Sequence, residues 1–158
     1  MRKISAYFGA TILICLLGCT REHGTPTNLP YLFVDHTGKE YRGFYTQYEM
    51  PEAITDESKS GSLLISYENG QKWLEGTFAD GKLDGTVKMW RQDGTLFIEE
   101  HYDHGVRNGK LIWWYPSGQK EKEVDWVNGK KNGLWIEWDE NGNETSRRLF
   151  KDDRRVEK

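Results

Sequence analysis

The sequence predicts an all-β protein, an elongated single antiparallel sheet of stacked β-hairpins built on a 24-residue repeat. Three observations carry that expectation. Glycines recur at one fixed spacing in three columns: Gly70, Gly94, Gly118 and Gly142; Gly81, Gly105 and Gly129; Gly61, Gly85, Gly109 and Gly133. Large apolar side chains keep the same register in the columns Phe78, Tyr102, Trp126 and Phe150, then Leu63, Val87, Leu111 and Trp135, then Trp90, Trp114 and Trp138. Between the glycines lie runs such as LLISY, TLFIEEHY, KLIWWY and KEVDWV, rich in β-branched and aromatic residues and too short for helices.

The chain begins with a different kind of segment. Arg2 and Lys3 precede an apolar run from Ile4 to Leu17, so residues 1–18 read as a secretory signal. That run is shorter than the roughly 20 apolar residues a membrane span needs. Its end, Leu16, Leu17, Gly18 and Cys19, resembles the lipobox of bacterial lipoproteins. The resemblance implies cleavage before Cys19, lipid on its thiol, and a protein tethered to the membrane rather than spanning it. Several acyl chains at about 0.8 kcal/mol per buried methylene make such an anchor effectively permanent. Thr20 stands where the family uses Asp for inner-membrane retention, which leans towards the outer membrane in a Gram-negative source. With Cys15 removed and Cys19 lipidated, the mature body has no thiol.

Residues 19–32 read as the lipidated cysteine and a flexible tether, polar and containing Pro26 and Pro30. Residues 33–60 read as a degenerate first repeat, with the stretch TQYEMPEAITDESKS inserted as a surface loop. Four full units follow, 61–84, 85–108, 109–132 and 133–158. In the last, Asp153 and Glu157 replace the column glycines inside the charged tail KDDRRVEK, which reads as a cap.

The residues before the glycines assign the columns to turns. Asn69-Gly70, Asp93-Gly94, Asp80-Gly81, Asn128-Gly129, Asp84-Gly85 and Asn108-Gly109 are of the kind that tolerates positive φ at both centres of a two-residue hairpin turn. All three columns are therefore expected to bend the backbone. A single hairpin cannot bury its own apolar face, so the units must stack, with their rings running along the stack. The composition agrees, with 13% aromatic residues and seven Trp in a chain only 36% hydrophobic.

The segments EGTFADGKLDG (75–85) and HYDHGVRNG (101–109) resemble the MORN repeat, an aromatic followed by glycines three and seven residues on. With the 24-residue period the chain is most similar to bacterial MORN-repeat-variant proteins, often labelled YwqK-type antitoxins. That resemblance implies a hairpin-stacked, MORN-like sheet and a non-enzymatic interaction protein.

Other chemistry is weakly supported. GVRNGKL (105–111) has one residue too few between its glycines for a phosphate loop, and a strand rather than a helix should follow, so no nucleotide is expected. His101 and His104 have the spacing of a metal pair, but their columns hold Thr77, Asp125 and Leu149 and Asp80, Asn128 and Asp152, so they read as a strand residue and a turn residue. No catalytic residue, metal site or cofactor is expected. Net charge is −3, so neither nucleic acid nor anionic headgroups find a basic face. Most rings should pack between hairpins, while the second face is open to an exposed strip such as Trp73 and Phe97 or Trp113 and Tyr115.

The expectation for function is a lipid-anchored scaffold or adaptor in the bacterial envelope, joined to the membrane through Cys19, that binds an unknown envelope or secreted protein in the manner of an immunity protein or antitoxin. The alternative is a cell-wall or polysaccharide-binding module using the exposed rings.

Overall fold

A computed structural model describes residues 29–45 and 60–157. The signal, Cys19 with its box, most of the tether and the insert at 46–59 lie outside the described residues, which hold no helix and form one sheet of thirteen strands. They are β1 (Leu29–Asp35), β2 (Glu40–Tyr45), β3 (Gly61–Ser66), β4 (Lys72–Ala79), β5 (Lys82–Leu83), β6 (Gly85–Trp90), β7 (Leu96–Asp103), β8 (Val106–Arg107), β9 (Gly109–Trp114), β10 (Lys120–Val127), β11 (Lys130–Trp138), β12 (Glu144–Lys151) and β13 (Arg154–Val156). The pairing is antiparallel throughout, and from β3 onward sheet order follows chain order.

The front departs from that serial stack, because β1 lies between β2 and β3 and pairs with both. The sheet starts at Leu29, inside the stretch 19–32 read as tether. Pro30 faces Phe44 of β2, while the ladder to β3 begins only at Tyr31. Its missing N–H therefore falls outside that ladder.

The three glycine columns do three different jobs, which corrects the expectation of one kind of turn. At Asp80-Gly81, His104-Gly105 and Asn128-Gly129 both residues have positive φ, as the two-residue turn requires. The last unit makes the same turn with Asp152-Asp153, at φ 49° and 65°. At Gly70, Gly94, Gly118 and Gly142 only the glycine is left-handed; its N–H donates to the carbonyl three residues back, as Gly70 does to Tyr67. Those loops are four-residue turns whose preceding Asn, Asp or Ser keeps ordinary φ.

The third column is not a turn. Phe78 faces Leu83 and Ala79 faces Lys82, yet Leu74 faces Met89, so two extra residues bulge out where Gly85 sits. Gly109 and Gly133 occupy the same place in later units. A side chain at Gly133, with φ at 132°, would stand 2.7 Å from the Asp125 Cβ. Each bulge is held by one polar side chain at a fixed repeat position: Thr77 Oγ1 donates to the Asp84 carbonyl, His101 Nδ1 meets the Lys110 carbonyl at 2.9 Å, and Asp125 Oδ2 accepts the Leu134 N–H at 2.9 Å.

Successive units are also joined at both ends. Near the four-residue turns, Tyr67 and Tyr115 hydroxyls donate to the Trp90 and Trp138 carbonyls at 2.9 Å, and Arg91 donates to the Trp114 carbonyl at 2.5 Å. At the opposite end, Gly105, Gly129 and Asp153 N–H groups donate to the carbonyls of Leu83, Arg107 and Lys131. Successive units thus touch through two kinds of contact that repeat with the period.

Period-two alternation sends one set of side chains to a common face. Phe33, Leu63, Ile65, Leu74, Phe78, Leu83, Val87, Met89, Ile98 and Leu111 form the buried cluster there. Gly76 is buried because Val87 and Leu83 close over it, the nearest atom standing 3.2 Å from where its Cβ would be. Trp73 and Phe97 join this cluster instead of lining the second face. Both are the single extra residue in their strands, next to the four-residue turn, and that insertion breaks the alternation assumed for them. Trp113 faces Ile98 and belongs to the same side. The opposite face carries Glu75, Lys88, Glu99, Lys110, Glu123 and Asp125 around Ile112 and Ile136, both 8% exposed.

Candidate interaction surface

The aromatic face changes character along the stack. In the first unit the ring Phe78 is 4% exposed and faces Leu83. In the units that follow, the ring becomes Tyr102, Trp126 and Phe150, half-buried in each case, and its partner becomes Arg107, Lys131 and Arg155. A row of cations therefore replaces an aliphatic residue at one fixed repeat position. The guanidinium of Arg107 lies 5.8 Å from the Tyr102 centroid and 5.3 Å from that of Trp126. Lys131 Nζ lies 4.7 Å from the Trp135 ring and 5.6 Å from Phe150, and Arg148 is 6.0 Å from Trp135. Cation over ring is worth about 0.5–1 kcal/mol at exposed sites.

One carboxylate is sunk in this face. Glu100, 3% exposed, takes the repeat position held by Gly76 and Val124. Its Oε2 accepts from Arg107 Nε and from the Tyr102 hydroxyl, both at 2.8 Å. Burial works against charge on Arg107, but the carboxylate beside it outweighs that and raises its pKa. Burial and the same carboxylate push the Tyr102 phenol well above the usual range. The triad replaces the Gly76 and Leu83 packing of the first unit with an ion pair.

The turns beside the row lose acid as far as Lys131 and regain it at Arg155, whose turn is Asp152-Asp153. Leu83 is flanked by Asp80 and Asp84, Arg107 by His104 and Asn108, and Lys131 by Asn128 and Asn132. The cations of the row are thus interleaved with Glu100 and Asp153 and do not form an uninterrupted basic face. On the opposite face charges are matched. Lys110 bonds Glu123 and, at 2.9 Å, Asp125, while Lys120 reaches Glu123 at 2.5 Å. Burial alone would raise the Glu123 pKa, but those two lysines lower it.

The repeat aromatics Trp90, Trp114 and Trp138 stand at strand ends, half-buried. Lys72 sits 5.4 Å from Trp90, and Lys120 sits 6.0 Å from both Trp114 and Trp138. Large hydrophobic side chains that are exposed among the described residues are Val106, Val127, Leu149 and Val156, none of them aromatic.

The two histidines are separated by role. His101 staples a bulge, whereas His104 Nδ1 lies 2.6 Å from Asp103 and 3.6 Å from Asp84. The Asp103 contact, then the charge of Asp84, raise the His104 pKa. The group close enough to share an ion is Asp84, Asp103 and His104, without His101.

The repeat period of the sheet is also a known family pattern. A sequence model described as MORN repeat variant matches residues 83–104 and 107–128. Each matched segment opens on a residue of the cation row, or on Leu83 before it, and closes on the first residue of the next two-residue turn. No curated protein matches the chain. MORN repeats mediate protein or membrane interactions, and the all-β hairpin sheet is the architecture expected of them.

Proposed function

We propose that this protein is a non-enzymatic, membrane-anchored repeat lipoprotein that acts as a protein–protein interaction scaffold in the cell envelope, with immunity- or antitoxin-like capture of an exported partner as one form of that role. The observation that carries the reading is the aromatic face of the last units, where half-buried rings lie under cations on an open sheet instead of closing into a core. Aromatic and Arg side chains of this kind are enriched where proteins meet. The tether is read from Leu16, Leu17, Gly18 and Cys19, whose resemblance to a lipobox supports an anchored sheet.

Stacking a sugar needs an open ring face. Lys131 stands over Trp135 and Phe150, and Lys120 over Trp114 and Trp138, which favours a polypeptide over a neutral polysaccharide. Crosslinking the full chain in its own cells, followed by mass spectrometry, tests the scaffold. Recovery of one stoichiometric protein supports it; retention on protein-free wall material with no protein recovered replaces it with the glycan reading. Mass measurement of Cys19 tests the anchor, and an unmodified thiol behind an intact leader rejects it.

A further inference from the structure

We propose that the row Arg107, Lys131 and Arg155, with the rings Trp126 and Phe150 beneath it, is the docking strip for an extended acidic polypeptide that carries a carboxylate at about every third residue. The inference rests on the scaffold reading and specifies the surface and the partner.

Equivalent positions in adjacent units are two strands apart, roughly 10 Å at about 4.8 Å per strand. An extended chain advances about 3.3 Å per residue, so carboxylates three residues apart also stand about 10 Å apart. A partner strand laid across the sheet, along the cation row, would meet one cation per carboxylate. Its intervening side chains would fall on the Trp126 and Phe150 rings, both half-buried and so still able to lose exposed area.

Charge on the strip favours this occupant. Among the described residues Lys131 makes no ion pair, its ammonium resting on two rings. Arg155 is exposed, and Arg107 is held to Glu100 through Nε. Beside Arg107 and Lys131 stand Asn108, Asn128 and Asn132 where the first unit has acids, and the Asp153 carboxylate before Arg155 is taken up by the Lys131 N–H at 2.9 Å. A lipid surface is less suited, because an interfacial face presents its rings outermost, whereas here the cations lie over them.

The test uses the full chain and two synthetic heptapeptides of identical composition, one with Glu at positions one, four and seven separated by Val and Ser, the other with the three Glu contiguous. Binding is read by tryptophan fluorescence. The spaced peptide is expected to bind several-fold more tightly, with the double variant Lys131→Glu, Arg155→Glu weakening it about tenfold and the neighbouring Lys130→Glu by less than about twofold. Lys130→Glu changes net charge by the same step as Arg155→Glu alone, at a position on the other face. Thermal melts of each variant separate lost binding from lost folding, and Arg155→Glu alone, at an exposed site, must still weaken the peptide.

Equal affinity for the two peptides overturns the proposal, as does an equal loss in Lys130→Glu. Vesicles of phosphatidylglycerol and phosphatidylcholine form a further arm, and retention on them that the double variant abolishes, with no peptide bound, assigns the strip to lipid instead. If the double variant still crosslinks its cellular partner, the strip fails while the scaffold stands. If the wild type yields no cellular partner, the scaffold fails, and the peptide titration still decides the strip.

Discussion

The first and third units share a backbone and differ in what they place on the aromatic face. Leu63, Ile65, Leu74, Phe78 and Leu83 bury one another in the first, whereas Leu111, Trp113, Lys122, Trp126 and Lys131 hold the same repeat positions in the third. On that face of the third unit only Leu111 and Val124 remain buried. The difference teaches that turns, bulges and inter-unit hydrogen bonds suffice to define the strand path, leaving the side chains of later units free to serve something other than a core. The first units are a foundation, and the later units use the same ribbon as a display.

The largest test of that division is a pair of truncations at one repeat position. Leu63→Ala, at 1% exposure, should cost about 3 kcal/mol. Trp135→Ala removes a far larger side chain that is only half-buried, and should cost about 1–2 kcal/mol. Chemical denaturation measures both, and a greater loss at Trp135 would reverse the assignment of foundation and display.

Next comes the buried charge. Glu100→Val alone strands Arg107 and should cost about 2–3 kcal/mol, less than a fully buried pair because the arginine is 22% exposed. Adding Arg107→Leu gives the second unit a first-unit type of packing and should recover most of that loss, to within about 1 kcal/mol of wild type. Failure of the double variant to recover would mean the triad sets strand register and is more than a substitute for packing.

A smaller effect is expected at Trp126. Its indole N–H has no acceptor in the described structure. Trp126→Phe, which removes that unpaired donor but keeps a ring, should change stability by less than about 1 kcal/mol, while Trp126→Ala should cost about 2 kcal/mol. Equal losses from both would show that the N–H is bonded in solution.

The smallest effect should be blind to the division. Asp35 is held at about 2, first by the Thr37 hydroxyl and then by the Lys39 and Thr37 amides, working against desolvation. Asp139, at the far end, is lowered chiefly by Asn143. A carboxyl depressed on folding stabilises above its unfolded value, and that help fades as pH falls through the folded one. The melting-temperature deficit of Asp35→Asn should therefore be full at pH 5 and vanish between pH 3.8 and about 2. A deficit persisting at pH 2 would assign the role of Asp35 to shape alone.

How much could be read from the chain follows the same physics. Columns of one residue type, such as glycine or aromatic, announce themselves, so the hairpin stack and its register were legible. What each glycine column does was not, because Asp-Gly and Asn-Gly suit a two-residue turn, a four-residue turn and a bulge alike. The displaced β1 was hidden because pairing order depends on a crossover, not on local composition. The cation row was missed since Leu83, Arg107, Lys131 and Arg155 share a position but no type, and Glu100 looked like one acid among many. Heterogeneous columns are where a repeat departs from its own architecture, and those departures make up the candidate surface. Trp73 and Phe97 were misassigned for a simpler reason, a single inserted residue that alternation does not register.

The bulge at Gly85, Gly109 and Gly133 has a consequence for how such a molecule changes length. Each unit carries the same bulge and holds it through Thr77, His101 or Asp125, so the local bend that a bulge imposes belongs to the module and not to the whole. A gene copying event that adds or deletes one 24-residue block leaves every remaining bend in phase. The result is a gauge whose span is set by counting, with each added block contributing one more tooth to the row.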